Sequence, residues 1–307
     1  MDLSANVRFL GSHSPRRVSQ SLRTVAGSWH SADRPIPREV IRMTVYTHGH
    51  HPTVLSSHTW RTIENSAAYL AGHLREGLTL LDVGCGPGTI STEFAERLAP
   101  GRVVAVDAAE TVLEQARAHA AGRGRDNIEF AVADVHDLAF PDDTFDIVHA
   151  HQVLQHIAEP VRALSEMRRV CKPGGVVAAR EADFGGFTWY PEPPAMADWL
   201  PVYSKVARGN GGEPEAGRRL VSWAREAGFT DITFTSSAWA FATPEEREWW
   251  SGSWGGRMLH STLADTAVEK GHATREDLER IHQGWQEWAA APDGTFTAQH
   301  GEILCRT

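Results

Sequence analysis

Apolar residues from Ser57 to Arg75 fall at Trp60, Ile63, Ala67, Leu70, Ala71 and Leu74, the three-and-four spacing that predicts a helix with one buried face. Downstream, the period changes to short apolar runs. Leu78 to Val83, Val103 to Val106, Ile128 to Val132, Phe145 to His149 and Val176 to Ala179 read as buried strands. Between them Ile90 to Leu98, Thr111 to Ala121 and Val161 to Val170 read as helices. Strand and helix in alternation predict parallel pairing with helices on both faces, a doubly wound α/β domain. Pro173, Gly174 and Gly175 turn the chain into the fifth strand.

The stretch from Asp183 to Gly217 is rich in Pro, Gly and aromatic residues and reads as an insertion without sheet. Arg218 to Ala227 and Thr230 to Thr235 resume the helix and strand order, and the region around Trp249 reads as a second irregular, aromatic insertion. Thr274 with Asp277 forms a capping signal ahead of Leu278, Ile281, Trp285 and Trp288. Phe296 to Leu304 supplies a last strand. The divisions that follow are a basic extension (1–44), a lid and helix (45–77), a core (78–182), an insertion (183–217) and the end of the sheet with a helical insertion (218–307).

Charge narrows the function. The chain carries −9 in total, yet residues 1–44 hold seven Arg against three acids, so that segment is +4 and the remainder −13. Such a surface repels phosphate backbones and anionic membranes, which leaves a small-molecule substrate. The basic start predicts an arm that packs on a second copy of the chain or stays mobile, with a transit peptide or an alternative start at Met43 as other readings. Cys85, Cys171 and Cys305 form no C-x-x-C pair, no run is long enough to span a bilayer, and a reducing cytoplasm is the expected setting.

The candidate chemistry begins at Leu80-Leu81-Asp82-Val83-Gly84-Cys85-Gly86-Pro87-Gly88-Thr89, a strand turning through glycines into a helix. Glycines admit positive φ and bring a ligand against backbone N–H groups at the helix start. The spacing is G-x-G-x-G, without the third-glycine spacing of the dinucleotide fingerprint, so a nicotinamide cofactor is the weaker reading. Asp107 ends the second strand, 23 positions after Gly84, where a carboxylate can accept ribose hydroxyls. Asp134, with Val135 behind it, follows the third strand and is placed to meet a base.

At these residues the sequence resembles the class I S-adenosylmethionine-dependent methyltransferases, particularly those near the ubiquinone and menaquinone biosynthesis C-methyltransferases. The resemblance runs from about Tyr46 to Thr235 and includes Phe140-Pro141-Asp142-Asp143-Thr144-Phe145-Asp146 and Leu164 to Gly175. It implies a seven-stranded sheet whose final antiparallel strand is Phe296 to Leu304, and S-adenosylmethionine as cofactor. Carried over, the cofactor residues are Tyr46, Gly84, Cys85, Gly86, Gly88, Asp107, Ala108, Asp134, Val135, His151 and Gln152.

Ligands of open α/β sheets lie beyond the carboxyl ends of the strands, so His151, Gln152 and His156 after strand four, and Glu181 and Asp183 after strand five, are expected to face the acceptor. A histidine there can take a proton near neutral pH, which predicts a rate that falls below roughly pH 6 to 7. His151, His156, Glu181 and Asp183 are therefore the catalytic candidates, against plain packing or ion-pair roles for each. The run Tyr46-Thr47-His48-Gly49-His50-His51 with His58 is read as a lid and not as a metal site, because no carboxylate or Cys completes a ligand set. Trp223, Trp285 and Trp288 have helical spacing and read as core. Trp189, Tyr190, Trp249, Trp250 and Trp254 are expected to wall a pocket for an aromatic or heteroaromatic metabolite, with carbon methylation ahead of oxygen or nitrogen. Two other readings stand beside this one: a nicotinamide-dependent oxidoreductase, and a catalytically silent methyltransferase-like binding protein.

Overall fold

The computed structural model describes residues 59–307, so the expectations for Tyr46, the histidine run and the basic extension lie outside the described residues. Five strands run parallel: β1 (Thr79–Val83), β2 (Arg102–Asp107), β3 (Ile128–Val132), β4 (Phe145–His151) and β5 (Cys171–Ala182). Their order is β3-β2-β1-β4-β5, so the direction of winding reverses between β1 and β4. That reversal opens a crevice at the carboxyl ends of these two strands, the place where such sheets take their ligands.

Leu81, Val83, Val148 and Val177 point to one face, where α4 (Pro160–Val170) and α6 (Ala216–Glu226) cover them with Leu164, Met167 and Leu220. Leu80, Ile147 and Ala178 point to the other, against Phe94 of α2 (Thr89–Leu98) and the segment holding Ile63 and Leu70. Helix α3 (Glu110–Gly122) lies beside β2 and β3. Both faces of β1, β2 and β4 are covered, which is why those strands read as largely apolar runs, whereas β3 at the edge of the sheet is exposed or half-buried.

The last strand, β8 (Thr295–Arg306), runs antiparallel to β5 and carries β7 (Asp231–Phe241) on its other edge. The expected antiparallel strand is therefore present and longer than its apolar stretch suggested. An eighth strand, β6 (Thr188–Tyr190), continues along β8 beyond β5 and falls inside the segment expected to hold no sheet. That segment also contains α5 (Trp199–Gly209), and Gly217 belongs to α6.

Two further expectations are corrected. The predicted helix at 57–75 is a four-residue helix, α1 (Ile63–Ser66), followed by a 3-10 turn over Ala68–His73. Thr62 and Asn65 cap α1 reciprocally, and Ala67 leaves the helical region at φ −139, which ends it after one turn. Trp249, Trp250 and Trp254 are not in an irregular region but on α7 (Pro244–His260). With α5, α8 (Thr262–Glu269) and α9 (Arg275–Ala290), this helix forms an aromatic cap in which Trp199, Trp254, Trp285, Trp288 and Phe296 pack together. Trp285 and Trp288 are core, as their spacing predicts, while Trp223 is half-buried against α6's own cluster.

Candidate active site

Where β1 ends, Gly84, Gly86 and Gly88 all hold positive φ, at 68°, 54° and 76°. Gly84 and Cys85 donate their backbone N–H groups to the Val106 carbonyl, at 2.8 and 3.0 Å, which ties the loop to β2. The three glycines do different work. A Cβ on Gly84 would stand 2.3 Å from a Val153 methyl, and one on Gly88 would stand 2.8 Å from the Ala116 Cβ. One on Gly86 would meet nothing within 4 Å. Gly84 and Gly88 thus allow close packing, and Gly86 keeps an open cradle in front of α2, whose first N–H groups lack helical partners.

Asp107 reaches the same cradle from the end of β2. Its Oδ2 accepts from Gly86 N at 3.0 Å and its Oδ1 from Ala109 N at 3.0 Å, so Ala108 lies in a turn pinned by the carboxylate. Each oxygen retains a lone pair for a hydroxyl donor. Asp134 accepts from the His136 backbone at 2.9 Å and ring at 2.7 Å; burial alone would raise its carboxyl, but these bonds hold it below its ordinary value. Val135 is buried behind it. Burial, then Asp82 and Asp107, push the Cys85 thiol far up, so it is no nucleophile.

Beyond β4 the chain turns with Gln152 at φ 54. Arg61 donates to Gln152 Oε1, and Gln152 Nε2 lies 2.9 Å from His300 Nε2. His151 is buried with no hydrogen bond at either ring nitrogen, beside the packed rings of Trp239 and His300. Glu181, expected among the acid-base candidates, is committed to the fold: its carboxylate accepts from the backbone N–H groups of Val153, Leu154 and Gln155 at 3.0, 2.9 and 3.1 Å. Asp183 likewise pairs with Arg218, at 2.6 Å from its Nη2. These bonds hold Glu181 to the turn after β4 and Asp183 to the start of α6.

The turn that Glu181 holds lines a cavity with Gln152, Gln155 and His156 on one side. Phe184, Phe187, Trp239, Trp250 and Trp254 form aromatic walls, and Arg61 and Arg257 complete it. Of the five expected pocket aromatics, Trp250 and Trp254 are there. Trp189 stacks on Phe296 in the cap, Tyr190 is exposed, and Trp249 packs on Trp60 and Phe241. Arg61, Trp239 and Arg257 come from three distant parts of the chain and carry no local motif; Thr62, beside Arg61, was the one nearby signal, as a helix cap. The free volume is about 30 Å³, but Trp239 also walls a cleft of about 490 Å³ between α1 and β7.

The expected acid limb at pH 6 to 7 is corrected by this geometry. Burial first, then the guanidinium groups of Arg61 and Arg257, push His156 down to about 3, so it stays neutral across the working range. Parent and His156→Gln should show the same pH dependence of rate between pH 5 and 8. A limb near pH 6.5 present only in the parent would contradict the assignment.

Stability should depend on pH through the same groups. His156, lowered when folded, contributes stability that is present above its unfolded value and lost in acid, about 2 kcal/mol between pH 7 and 5. Glu181, which burial pushes up to about 7, works oppositely: its contribution is present below its unfolded value and lost as pH rises through 7, so acidification returns about 2 kcal/mol. These offset each other. Burial lowers His151 and His300 as well, and they decide the sign. The melting temperature should fall from pH 7 to pH 5; a rise would contradict it.

A glycine cradle at a helix start, an acid ending β2 and a turn after β4, all at the switch point of a doubly wound sheet, define a transferase that binds an adenosyl cofactor. The chain belongs to the methyltransferase domain family, whose model matches residues 74–228, and it is an S-adenosylmethionine-dependent methyltransferase. It is 34% identical over 270 residues to an uncharacterized methyltransferase of Schizosaccharomyces pombe, covering 84% of this chain and 95% of that one. A demethylmenaquinone methyltransferase of Symbiobacterium thermophilum is 34% identical over 182 residues, 53% of this chain and 72% of the relative. Among solved structures, a phosphoethanolamine N-methyltransferase 2 of Haemonchus contortus in complex with S-adenosyl-L-methionine shares the fold, with a TM-score of 0.51 at 19% identity over 78% of this chain and 51% of that one. The oxidoreductase reading falls with these findings. No helix among the described residues is long and apolar enough to cross a membrane.

The residues present fit the cofactor. The open side of Gly86 would give room for its amino-acid part, Asp107 could accept its ribose hydroxyls, and Asp134 with Val135 would be the residues to meet its base. When bound, the cofactor supplies an electrophilic methyl group.

Proposed function

We propose that the chain methylates a small aromatic or heteroaromatic metabolite held in the cavity beyond β4 and β5. The observation that carries this reading is the wall of five rings, Phe184, Phe187, Trp239, Trp250 and Trp254, beside the turn of Gln152 to His156. Flat apolar walls favour a flat acceptor through stacking and exclusion of water. Methyl transfer requires an in-line approach and no covalent intermediate with the protein, so the work of these residues is positioning. Gln152, Gln155 and neutral His156 offer hydrogen bonds that orient the acceptor, and the Glu181 carboxylate fixes their backbone.

At about 30 Å³ the cavity admits no ring as it stands. The acceptor therefore needs side chains to move, and Trp239, which lines both this cavity and the larger cleft, is the ring whose movement would join them. Carbon stays ahead of oxygen and nitrogen as the methylated atom on the likeness to a demethylmenaquinone methyltransferase. The test supplies labelled S-adenosylmethionine and a cell extract, and follows the label by mass spectrometry. Label on an aromatic carbon is the expected result. Label only on protein, nucleic acid or an aliphatic amine would contradict the proposal.

A further inference from the structure

We propose that the cleft between α1 and β7 binds an uncharged aromatic molecule by its carbonyl oxygen, which Arg180 Nη1 and the Tyr69 hydroxyl hold between them. Among the described residues only Trp239 lines both this cleft and the cavity beyond β4, so the inference goes beyond the reading of that cavity and stands apart from it. The cleft has about 490 Å³, the size of a small-molecule site. Arg180 and Tyr69 line it together with Trp60 and Trp239, whose rings meet edge to face at 5.1 Å and supply an apolar wall.

Two buried donors of these lining residues have no acceptor. Arg180 is 1% exposed; its Nε donates to Glu302 at 3.1 Å and to Ser237 at 3.2 Å, and its Nη2 donates to Ser237 at 3.1 Å. Its Nη1 has no hydrogen-bond partner among the described residues. The same is true of the Tyr69 hydroxyl, on the 3-10 turn that follows α1. Buried donors are seldom left in this state, because each has given up its hydrogen bonds to water. The two groups are near enough for the charge of each to act on the other. A carbonyl oxygen has two lone pairs, one for each donor.

The surroundings select an uncharged group. Glu302 neutralises Arg180 at 3.1 Å and accepts from Thr235 at 2.8 Å, so an anion brought to Nη1 would also face that carboxylate. Burial first, then Glu302, hold the Tyr69 hydroxyl well above its ordinary value, so it serves as a donor and not as a phenolate. The Arg180 guanidinium lies over the Trp239 ring at 4.9 Å, which sets this donor beside the aromatic wall. A carbonyl attached directly to a ring meets both.

The test titrates the full chain with three probes, followed by calorimetry and ligand-observed NMR. They are acetophenone, α-methylstyrene, which carries a methylene group in place of the carbonyl oxygen, and benzoate. Acetophenone should bind at least about tenfold more tightly than either of the others. Tyr69→Phe should cut the preference over α-methylstyrene at least about threefold while α-methylstyrene binds as before. The same variant, without ligand, should melt no lower than the parent, because the hydroxyl it removes bonds to nothing there. No binding of acetophenone, equal binding of acetophenone and α-methylstyrene, tighter binding of benzoate, or a preference that survives Tyr69→Phe in full would overturn the inference. A lower melting temperature of Tyr69→Phe would overturn it as well, by showing that the hydroxyl is already bonded. Binding is read without methyl transfer, so either proposal can fail while the other stands.

Discussion

Gly86→Val is expected to bring S-adenosylmethionine affinity down more than about 100-fold, close to 3 kcal/mol, in a chain that still folds. The side chain would project into the open space in front of Gly86, where its Cβ meets no protein atom within 4 Å and the cofactor must lie. The backbone adds a separate cost. At φ 54 a β-branched residue is strained by about 1 to 3 kcal/mol, but that strain is present with and without cofactor and lowers stability more than affinity. Gly86→Ala, with less volume and similar strain, should therefore bind better than the Val variant. Titration calorimetry of both against a melting curve separates the two effects. Val binding as the parent does would show that the loop is only a turn.

Asp107→Ala should weaken the cofactor by about 2 kcal/mol or more, a loss of about 30-fold. Two causes add. The carboxylate would no longer receive ribose hydroxyls, and the N–H groups of Gly86 and Ala109 would lose the acceptor that now sits 3.0 Å from each. Asp107→Asn keeps the shape and one acceptor oxygen, so it should fall between parent and Ala. Unchanged affinity in a folded Ala variant would take Asp107 out of the site.

These two positions were legible in the sequence because their structure is local. A strand, three glycines and a helix start determine the loop within ten residues, and the acid that ends β2 has its place set by the parallel pairing of β1 with β2. The doubly wound order was equally legible, since strands covered on both faces show as unbroken apolar runs. Helix α7 was not. Trp250, Trp254, Arg257 and Met258 are buried along with Ser251, Ser253, Gly255 and Gly256, so nearly every side of the helix is covered and no amphipathic period survives. The Thr243-Pro244-Glu245-Glu246 cap was the available sign of it.

The cavity beyond β4 and β5 was legible only in its chemistry. An aromatic setting was expected, but the rings that form it come from α7, β7 and the segment after β5, brought together by tertiary packing that leaves no spacing to read. The same holds for the charges. Glu181 and His156 have ordinary sequence credentials as acid-base groups, and only burial among backbone donors and guanidinium groups shows what each can do. The family resemblance carried the cofactor half of the site, whose residues lie in one continuous stretch, and carried little of the acceptor half.

If Gly86 and Asp107 frame an adenosyl-cofactor site in the crevice between β1 and β4, cofactor binding follows directly. Calorimetric titration of the parent chain with S-adenosylmethionine, with NADH in parallel, tests it most directly. One S-adenosylmethionine per chain should bind saturably, and NADH should give no heat. Saturable binding of NADH, or no binding of S-adenosylmethionine by a folded chain, would contradict it.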